Sequence, residues 1–269
     1  MSRGLLRVAH ITDTHIVAEP GAQVDGIDSF PALESLLTMV QHDVWMPHLL
    51  LVTGDLSDDG SGASYQRLRD VLTPLGLPTY CVPGNHDVLS EMKAHLHGGL
   101  IHVTGHVIRD HWQLILLNSQ VPGQDHGYLD QAELAALEAA LQRLPRHHAL
   151  VGLHHGPLPV CPMPGCRLAN ADDLLALLGR HANIRGVVSG HNHCAVDEHR
   201  NGLRLLVTPS TCLYVEHPNG SPVPDTKLGE PHRSDPQRRA FRRLELHADG
   251  TIVSEVVWDS SARPAGVHR

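Results

Sequence analysis

The stretch His48-Leu49-Leu50-Leu51-Val52-Thr53-Gly54-Asp55-Leu56-Ser57-Asp58-Asp59 decides the reading of this chain. Its apolar run, His48–Thr53, shows no polar alternation, as a strand buried on both faces of a layered domain requires. The run stops at Gly54, which permits close backbone approach, and carboxylates follow at once. In open α/β sheets, ligands gather at the carboxyl ends of strands, where loops from several strands converge. The same pattern recurs four times. Leu5–Thr12 runs into Asp13-Thr14-His15, and Thr79–Val82 into Gly84-Asn85-His86-Asp87. Ala149–His154 closes on His154-His155, and Arg185–Ser189 leads to Gly190-His191-Asn192-His193.

Further strands are expected over Ile101–Ile108 and Trp112–Asn118. Amphipathic helices are expected over Phe30–Val40, Ser64–Leu72, Asp130–Leu144 and Ala171–His181, the last with Asn170 as its N-cap. This alternation predicts an α/β domain. The final third changes character. Asn201-Gly202 divides Ala195–Arg200 from Leu203–Thr208 as a tight hairpin turn does, and Asp249-Gly250 divides Arg239–His247 from Thr251–Trp258. The second half of the sheet system is therefore expected to be largely antiparallel. Glu216–Gln237, rich in Pro, Gly, Ser and charge, reads as a long loop returning near the site. Residues 1–259 are expected to form one domain that includes this 216–237 loop, with 260–269 as a flexible tail.

Composition narrows the function. The 269 residues suffice for one substantial core, with 41% hydrophobic and 19% charged residues, an ordinary soluble balance. Acidic residues outnumber basic ones, 29 against 21, for a formal charge of −8, which disfavours a long polyanion such as duplex DNA. A small phosphate ligand stays open, because bound cations would supply local positive charge. The run Arg238-Arg239-Ala240-Phe241-Arg242-Arg243 reads as the solvated face of a strand. The N-terminus carries no secretory pattern and no stretch spans a bilayer, so a cytoplasmic setting is expected, with the cysteines as thiols. Cys161 and Cys166 match no strong zinc spacing. Of the histidines, His42, His95, His97, His147, His199 and His268 sit in polar or loop-like surroundings and read as surface residues.

The motif histidines have a different meaning. Carboxylates, an amide and imidazoles converge from several strand ends, a donor set that suits iron, manganese or zinc. There are too many donors for one ion, and seven would fill two adjacent sites. Two ions about 3.5–4 Å apart are a known device for attacking a phosphoester. Asp13 and His15 are two apart after a strand, as are His191 and His193, so in extended backbone each pair projects to one side. Asp55 is the candidate bridge, since a carboxylate offers two oxygens. Asn85 is a weak ligand, chosen only where a site is already anionic. His86, one residue on, cannot easily bind the same ion and is free to donate a proton to a leaving oxygen.

The series Asp-x-His, Gly-Asp-x-x-Asp, Gly-Asn-His-Asp, His and Gly-His-x-His resembles the calcineurin-like metallophosphoesterases. Within them the chain is most similar to the bacterial class III 3′,5′-cyclic-AMP phosphodiesterases. Ile11-Thr12, Leu116-Leu117-Asn118-Ser119-Gln120-Val121, His126-Gly127, Val207-Thr208-Pro209-Ser210-Thr211-Cys212 and Leu244-Glu245-Leu246-His247-Ala248-Asp249-Gly250 also carry the likeness. The resemblance implies a four-layer α-β-β-α sandwich of two mixed sheets flanked by helices. It implies Asp13, His15, Asp55 and His193 on one metal, and Asp55, Asn85, His154 and His191 on the other, with iron or manganese favoured and zinc an alternative. Asn85 and His86 would contact the substrate phosphate, and His86 would assist the leaving group as the catalytic residue. The implied reaction is hydrolysis of cyclic AMP to 5′-AMP by a metal-bridging hydroxide, with a small cyclic nucleotide as partner and neither membrane nor nucleic acid. A broader phosphodiesterase, acting on glycerophosphodiesters or nucleotide diesters, is the alternative; a non-catalytic scaffold of the same fold is a remoter one. His155 is implied beside the ligands rather than among them. Asp58 and Asp59 compete for the motif's second Asp, and Gly156 stands where relatives carry Pro.

Overall fold

The computed structural model describes residues 4–161, 164–216, 233–235 and 238–260. Strands and helices alternate from the start: β1 (Leu5–Ile11), α1 (Ser29–His42), β2 (Leu49–Thr53), α2 (Gly62–Leu72), β3 (Thr79–Val82), α3 (Leu89–Glu91, continued by a π turn over Met92–Leu96) and β4 (Ile101–Val103). β1 to β4 pair in parallel. A second sheet begins with β5 (Gly105–Arg109) and β6 (Trp112–Leu116). It continues through α4 (Gln131–Arg143), β7 (His148–Gly152), α5 (Ala171–Leu178) and β8 (Ile184–Ser189). The hairpin β9 (Val196–Arg200) and β10 (Leu203–Val207) completes it. A short ribbon, β11 (Tyr214–Glu216) with β12 (Arg233–Asp235), follows, and β13 (Ala240–His247) with β14 (Ile252–Trp258) returns to the first sheet. The sheet orders are β14-β13-β1-β2-β3-β4 and β5-β6-β7-β8-β10-β9.

The pleat of β2 shows how the layers form. Leu49 and Leu51 enter the core between the sheets with Trp112, Leu114, Leu150 and Leu206. Leu50 and Val52 face the other way, onto Leu33 and Leu36 of α1 and Tyr65 and Leu68 of α2. On the far side, Leu134 and Leu137 of α4 and Leu174 and Leu178 of α5 cover Val151 and Val187. The result is the expected four-layer α-β-β-α sandwich. Helix starts are capped by Asp28, Ser61 and Asp130, whose side chains accept from Phe30, Ser64 and Glu133 amides. Leu51→Ala, at a site 1% exposed between the sheets, is expected to cost about 2–5 kcal/mol. Urea unfolding reads this as a lowered midpoint at constant slope; an unshifted midpoint would refute the packing assigned to it.

Several expectations need correction. Ile101–Ile108 is not one strand: β4 pairs with β3 and β5 with β6, in different sheets. Thr104 (φ 61°) and Gly105 (φ 133°) turn the chain from one sheet into the other. The helical turns over Leu89–Leu96 were not expected. Asn170 holds the N-cap position of α5 as expected, but its side chain makes no capping bond and pairs instead with the backbone N–H and C=O of Leu129. The second half is largely antiparallel, as expected, in the pairs β9–β10, β11–β12, β13–β14 and β1–β13; the exception is β10, which runs parallel to β8. Asn201 and Gly202 form the expected two-residue turn, both at positive φ. The second hairpin has a longer turn, since the His247 amide bonds to the Thr251 carbonyl across Ala248–Gly250. Within the expected 216–237 loop, Arg233–Asp235 pairs with Tyr214–Glu216; residues 217–232, 236–237 and most of the expected tail, 261–269, lie outside the described residues. Among the described residues no helix is long and apolar enough to cross a membrane.

Candidate metal centre

The loops after β1, β2 and β3 of one sheet meet those after β7 and β8 of the other. Backbone bonds lock them together: Asp13 N–H donates to Gly54 C=O, His15 N–H to Asp55 C=O, and Gly190 N–H to His154 C=O. Gly54 lies at φ 89°, and a Cβ there would collide with the His154 ring, so only glycine permits this approach. The expectation that Asp13/His15 and His191/His193 converge through extended backbone is wrong. Asp13, His15, Asp55, His191 and His193 all have positive φ, between 44° and 70°. Such residues are uncommon, and the strain of roughly 1–3 kcal/mol at each is held by the surrounding loops.

Every residue expected to ligate a metal reaches one cluster. His154 Nε2 lies 3.2 Å from Asp55 Oδ2, 3.9 Å from Asp13 Oδ1 and 3.1 Å from Asn85 Oδ1. His193 Nε2 lies 3.4 Å from Asp13 Oδ1 and 3.3 Å from His15 Nε2, which is 3.9 Å from the same Asp55 Oδ2. Asp55 therefore stands between two imidazole groups, and Asp13 also faces both. Asp13, His15 and His193 form one set able to hold an ion, and Asp13, Asp55 and His154 another. His191 Nε2 is buried with no hydrogen-bond partner among the described residues.

These observations fit a pair of cations. The donors are hard oxygens and imidazoles. Two buried carboxylates lie side by side, a charge that must be compensated. Burial pushes Asp13 up, but His193 and His154 hold it below the usual carboxylate range. Burial does the same to Asp55, and His154, His15 and His86 hold it well below that range. For His154, burial favours the neutral ring, yet Asp55 and Asp13 raise its pKa to about 9. Its Nδ1 sits 2.7 Å from the Thr53 carbonyl, which fixes the ring and leaves Nε2 aimed at the carboxylates. Burial, then His154, push His191 down to about 4.

His86 stands at the rim, its side chain 41% exposed, and its amide donates to Asp55 Oδ1 at 2.9 Å. Its Nδ1 lies 3.2 Å from Asp58 Oδ1, the contact that chiefly raises its pKa to about 9. Asp58 also holds His15 Nδ1 at 2.9 Å. The structure thus resolves the choice between the two aspartates. Asp59 instead accepts from Ala18 N–H, Ser61 N–H and the Ser57 hydroxyl, tying the turn together. Asp58→Asn is expected to weaken manganese affinity or turnover by about 10–100-fold, while Asp59→Asn leaves both near wild type and lowers the melting temperature. The reverse pattern in paired metal titrations and melts would overturn the assignment.

His155 is not a free ligand. Its Nδ1 pairs with the Ser119 hydroxyl and its Nε2 with the Asp125 carbonyl, while burial and the neighbouring His154 and His191 keep it neutral. Gly156 is buried against Ser189, where a Cβ would collide with the Ser189 side chain. The surface reading holds for His42, His95, His97, His147 and His199, none of them buried; His268 lies outside the described residues. None of the five cysteines is in a disulfide.

Sequence reasoning missed the supports behind the ligands. Asp87 accepts from the amides of Leu56, Ser57 and Gly84 and from the Tyr65 hydroxyl, so it clamps the Asp55 and Asn85 loops together. The Ser210 hydroxyl donates to the Asp13 carbonyl at 2.8 Å. Asp87's place in Gly84-Asn85-His86-Asp87 and that of Ser210 in Val207-Thr208-Pro209-Ser210-Thr211-Cys212 were the available signals. The cavity over the centre, about 170 Å³, is walled by Val24, Asp25, Cys212 and Leu213 opposite His86. A larger cavity of about 490 Å³ lies between β5–β6 and α4, lined by Leu116, Leu137, Ala140 and Arg143. Among the described residues it holds no cluster of ligating groups; these gather at the smaller cavity.

Fold and site together define a hydrolase of the calcineurin-like phosphoesterase family, and the chain belongs to it: the family model matches residues 6–195. The 3′,5′-cyclic adenosine monophosphate phosphodiesterase CpdA of Escherichia coli (strain K12) is 34% identical over 262 residues, covering 93% of this chain and 89% of that protein. The 3′,5′-cyclic-nucleotide phosphodiesterase alr5338 of Nostoc is 33% identical, covering 93% of this chain and 91% of its own length. Among solved structures, a dimetal phosphatase from Danio rerio superimposes with a TM-score of 0.67 at 14% identity, over 94% of this chain and 96% of that one. GAP50, the anchor in the inner membrane complex of Plasmodium, superimposes with a TM-score of 0.63 at 15% identity, over 99% and 88%. These two likenesses speak to the fold.

Proposed function

We propose that the chain hydrolyses 3′,5′-cyclic AMP to 5′-AMP at a two-metal centre. Asp13, His15, Asp55 and His193 would hold one ion, and Asp55, Asn85, His154 and His191 the other. The observation that carries this reading is the position of Asp55 Oδ2, 3.2 Å from His154 Nε2 and 3.9 Å from His15 Nε2, with the remaining donors around it. When bound, two such ions supply positive charge to phosphoryl oxygens and a water acidic enough to attack phosphorus near neutral pH. The protein's own groups do the rest. Asn85 and His86 meet the phosphate at the cavity rim, and the bonds of the Gly84 amide to Asp87 and of the His86 amide to Asp55 fix their loop before substrate arrives. His86, protonated and held at Nδ1 by Asp58, donates a proton from Nε2 to the departing 3′ oxygen. No side chain need form a covalent intermediate.

The choice of cyclic AMP is supported by the relatives at 31–34% identity that bear that activity in their names. A broader phosphodiesterase remains the second reading, because the wall of Val24, Asp25, Cys212 and Leu213 carries no group specific to adenine. A scaffold of this fold would have no need of a protonated histidine beside an amide donor. Turnover of cyclic AMP, bis-(p-nitrophenyl) phosphate and a glycerophosphodiester is to be compared on protein loaded with manganese, with metal content measured on the same sample. Cyclic AMP is expected to have the highest kcat/KM. Equal or better turnover of the other diesters would favour the broad reading, and two bound ions with no turnover would revive the scaffold.

A further inference from the structure

Arg242 overturns the expectation that the Arg238–Arg243 run forms a solvated face: it is 2% exposed. The period of β13 explains this. Leu244 and Leu246, on the same parity, lie between the sheets, while Phe241 faces the helix layer. Arg242 thus projects into the inter-sheet layer. Burying a guanidinium is costly unless it is hydrogen-bonded and its charge is used. No carboxylate lies within salt-bridge distance of it among the described residues. Its partners are neutral: Thr208 Oγ1 at 3.0 Å, Ser254 Oγ at 2.6 Å, and the carbonyls of Val196 and Val207 at 3.0 and 2.7 Å.

From Thr208 the contacts continue toward the metal centre. Thr208 Oγ1 lies 2.8 Å from His10 Nδ1, and His10 Nε2 lies 2.7 Å from Thr53 Oγ1. The Thr53 carbonyl takes both the Thr12 hydroxyl at 2.9 Å and His154 Nδ1 at 2.7 Å. His10, Thr53 and Thr208 are fully buried. Burial, followed by the adjacent Arg242, pushes His10 down to about 3, so the ring is neutral at any working pH. A neutral imidazole donates at one nitrogen and accepts at the other, so it transmits direction as well as contact.

We propose that Arg242, Thr208, His10 and Thr53 form a positioning relay that sets the carbonyl acceptor of His154 Nδ1, and with it the geometry in which His154 holds its metal. The relay joins β13 and β10 to β1 and β2, and so couples the two sheets at the floor of the site. Thr53 is also one residue before Gly54 and two before Asp55, so its anchoring fixes the bend on which the candidate bridging carboxylate stands. The inference rests on the two-metal reading above, and its test reads metal binding independently of turnover.

The test is manganese titration, followed by electron paramagnetic resonance, of the wild-type chain, His10→Leu and His10→Gln, with circular dichroism and melting curves on each. His10→Leu fills the space but breaks the relay; His10→Gln keeps a donor toward Thr53. His10→Leu is expected to fold with the wild-type spectrum and to lose about 10–100-fold in manganese affinity, and His10→Gln to recover most of that loss. Should His10→Leu fail to fold, Thr208→Val, which removes the hydroxyl one link further out, is expected to show a smaller loss of affinity. Wild-type affinity in a folded His10→Leu or Thr208→Val chain, with only the melting temperature lowered, would overturn the relay. A wild-type chain that takes up no ion overturns the two-metal reading itself, and the relay with it.

Discussion

Asp55→Ala is expected to leave the protein with well under one ion per chain and with turnover at the level of the uncatalysed background. The carboxylate contacts both imidazole groups, 3.2 Å from His154 Nε2 and 3.9 Å from His15 Nε2, and takes the His86 amide at 2.9 Å. Removing it takes away the one donor common to the two proposed ion positions and frees the His86 loop at the same time. No neighbour can move in, because Asp13 is already faced by His193 and His154 and receives the His191 amide at 3.1 Å. Metal analysis of freshly purified variant and wild type, side by side, reads the result. Two ions retained per chain would refute the bridging role, whatever happened to activity.

His86→Ala is expected to behave in the opposite way, keeping its metals and losing turnover. With cyclic AMP the fall should be about 10²–10⁴-fold, the range lost when a positioned proton donor is removed. The His86 side chain touches Asp58 at the rim; it shares one possible ligand set with His15 and Asp55 but, being exposed, belongs to neither of the sets that gather around Asp13. Metal content should therefore stay near wild type. The leaving group gives a second handle. A p-nitrophenolate departs without needing a proton, so the variant should lose much less with bis-(p-nitrophenyl) phosphate than with cyclic AMP. An equal loss on both substrates would mean that His86 acts by binding phosphate rather than by donating a proton, and unchanged turnover on cyclic AMP would remove it from the mechanism.

Much of this was legible in the residues because local chemistry and local periodicity carried it. Unbroken apolar runs such as Leu49–Thr53 can be buried only on both faces, and all of its residues are buried. Carboxylates and imidazoles at the ends of such runs have few reasons to be there other than a site. Failures occurred where a residue's meaning depended on a distant partner. Ile101–Ile108 reads as one strand, yet the two sheets compete for its halves, and the break falls at Thr104-Gly105, where a single glycine is the only local mark of the turn. Asn170 has a capping residue's identity, but the Leu129 backbone claims its side chain. The same holds for the pairs Asp13/His15 and His191/His193. Their two-residue spacing suggested a pleat, and the loops instead hold them in left-handed backbone that only tertiary contact sustains.

The residues alone were thus enough for an α/β domain, the strand ends on which function would sit, and the donor set that suits two cations, while the four-layer sandwich came from the family resemblance. The former follow from periodicity and from the chemistry of individual side chains, which do not need the fold to be known. Tertiary contact was needed to see that Asp58 rather than Asp59 touches His15 and His86, that Asp55 stands between the imidazole groups, and that Arg242 is buried between the sheets. Each of these depends on segments far apart in the chain, such as residues 53, 154 and 242, being brought within hydrogen-bond reach of a common chain of groups. That juxtaposition is set by how two twisted sheets pack, and no local stretch of sequence encodes it.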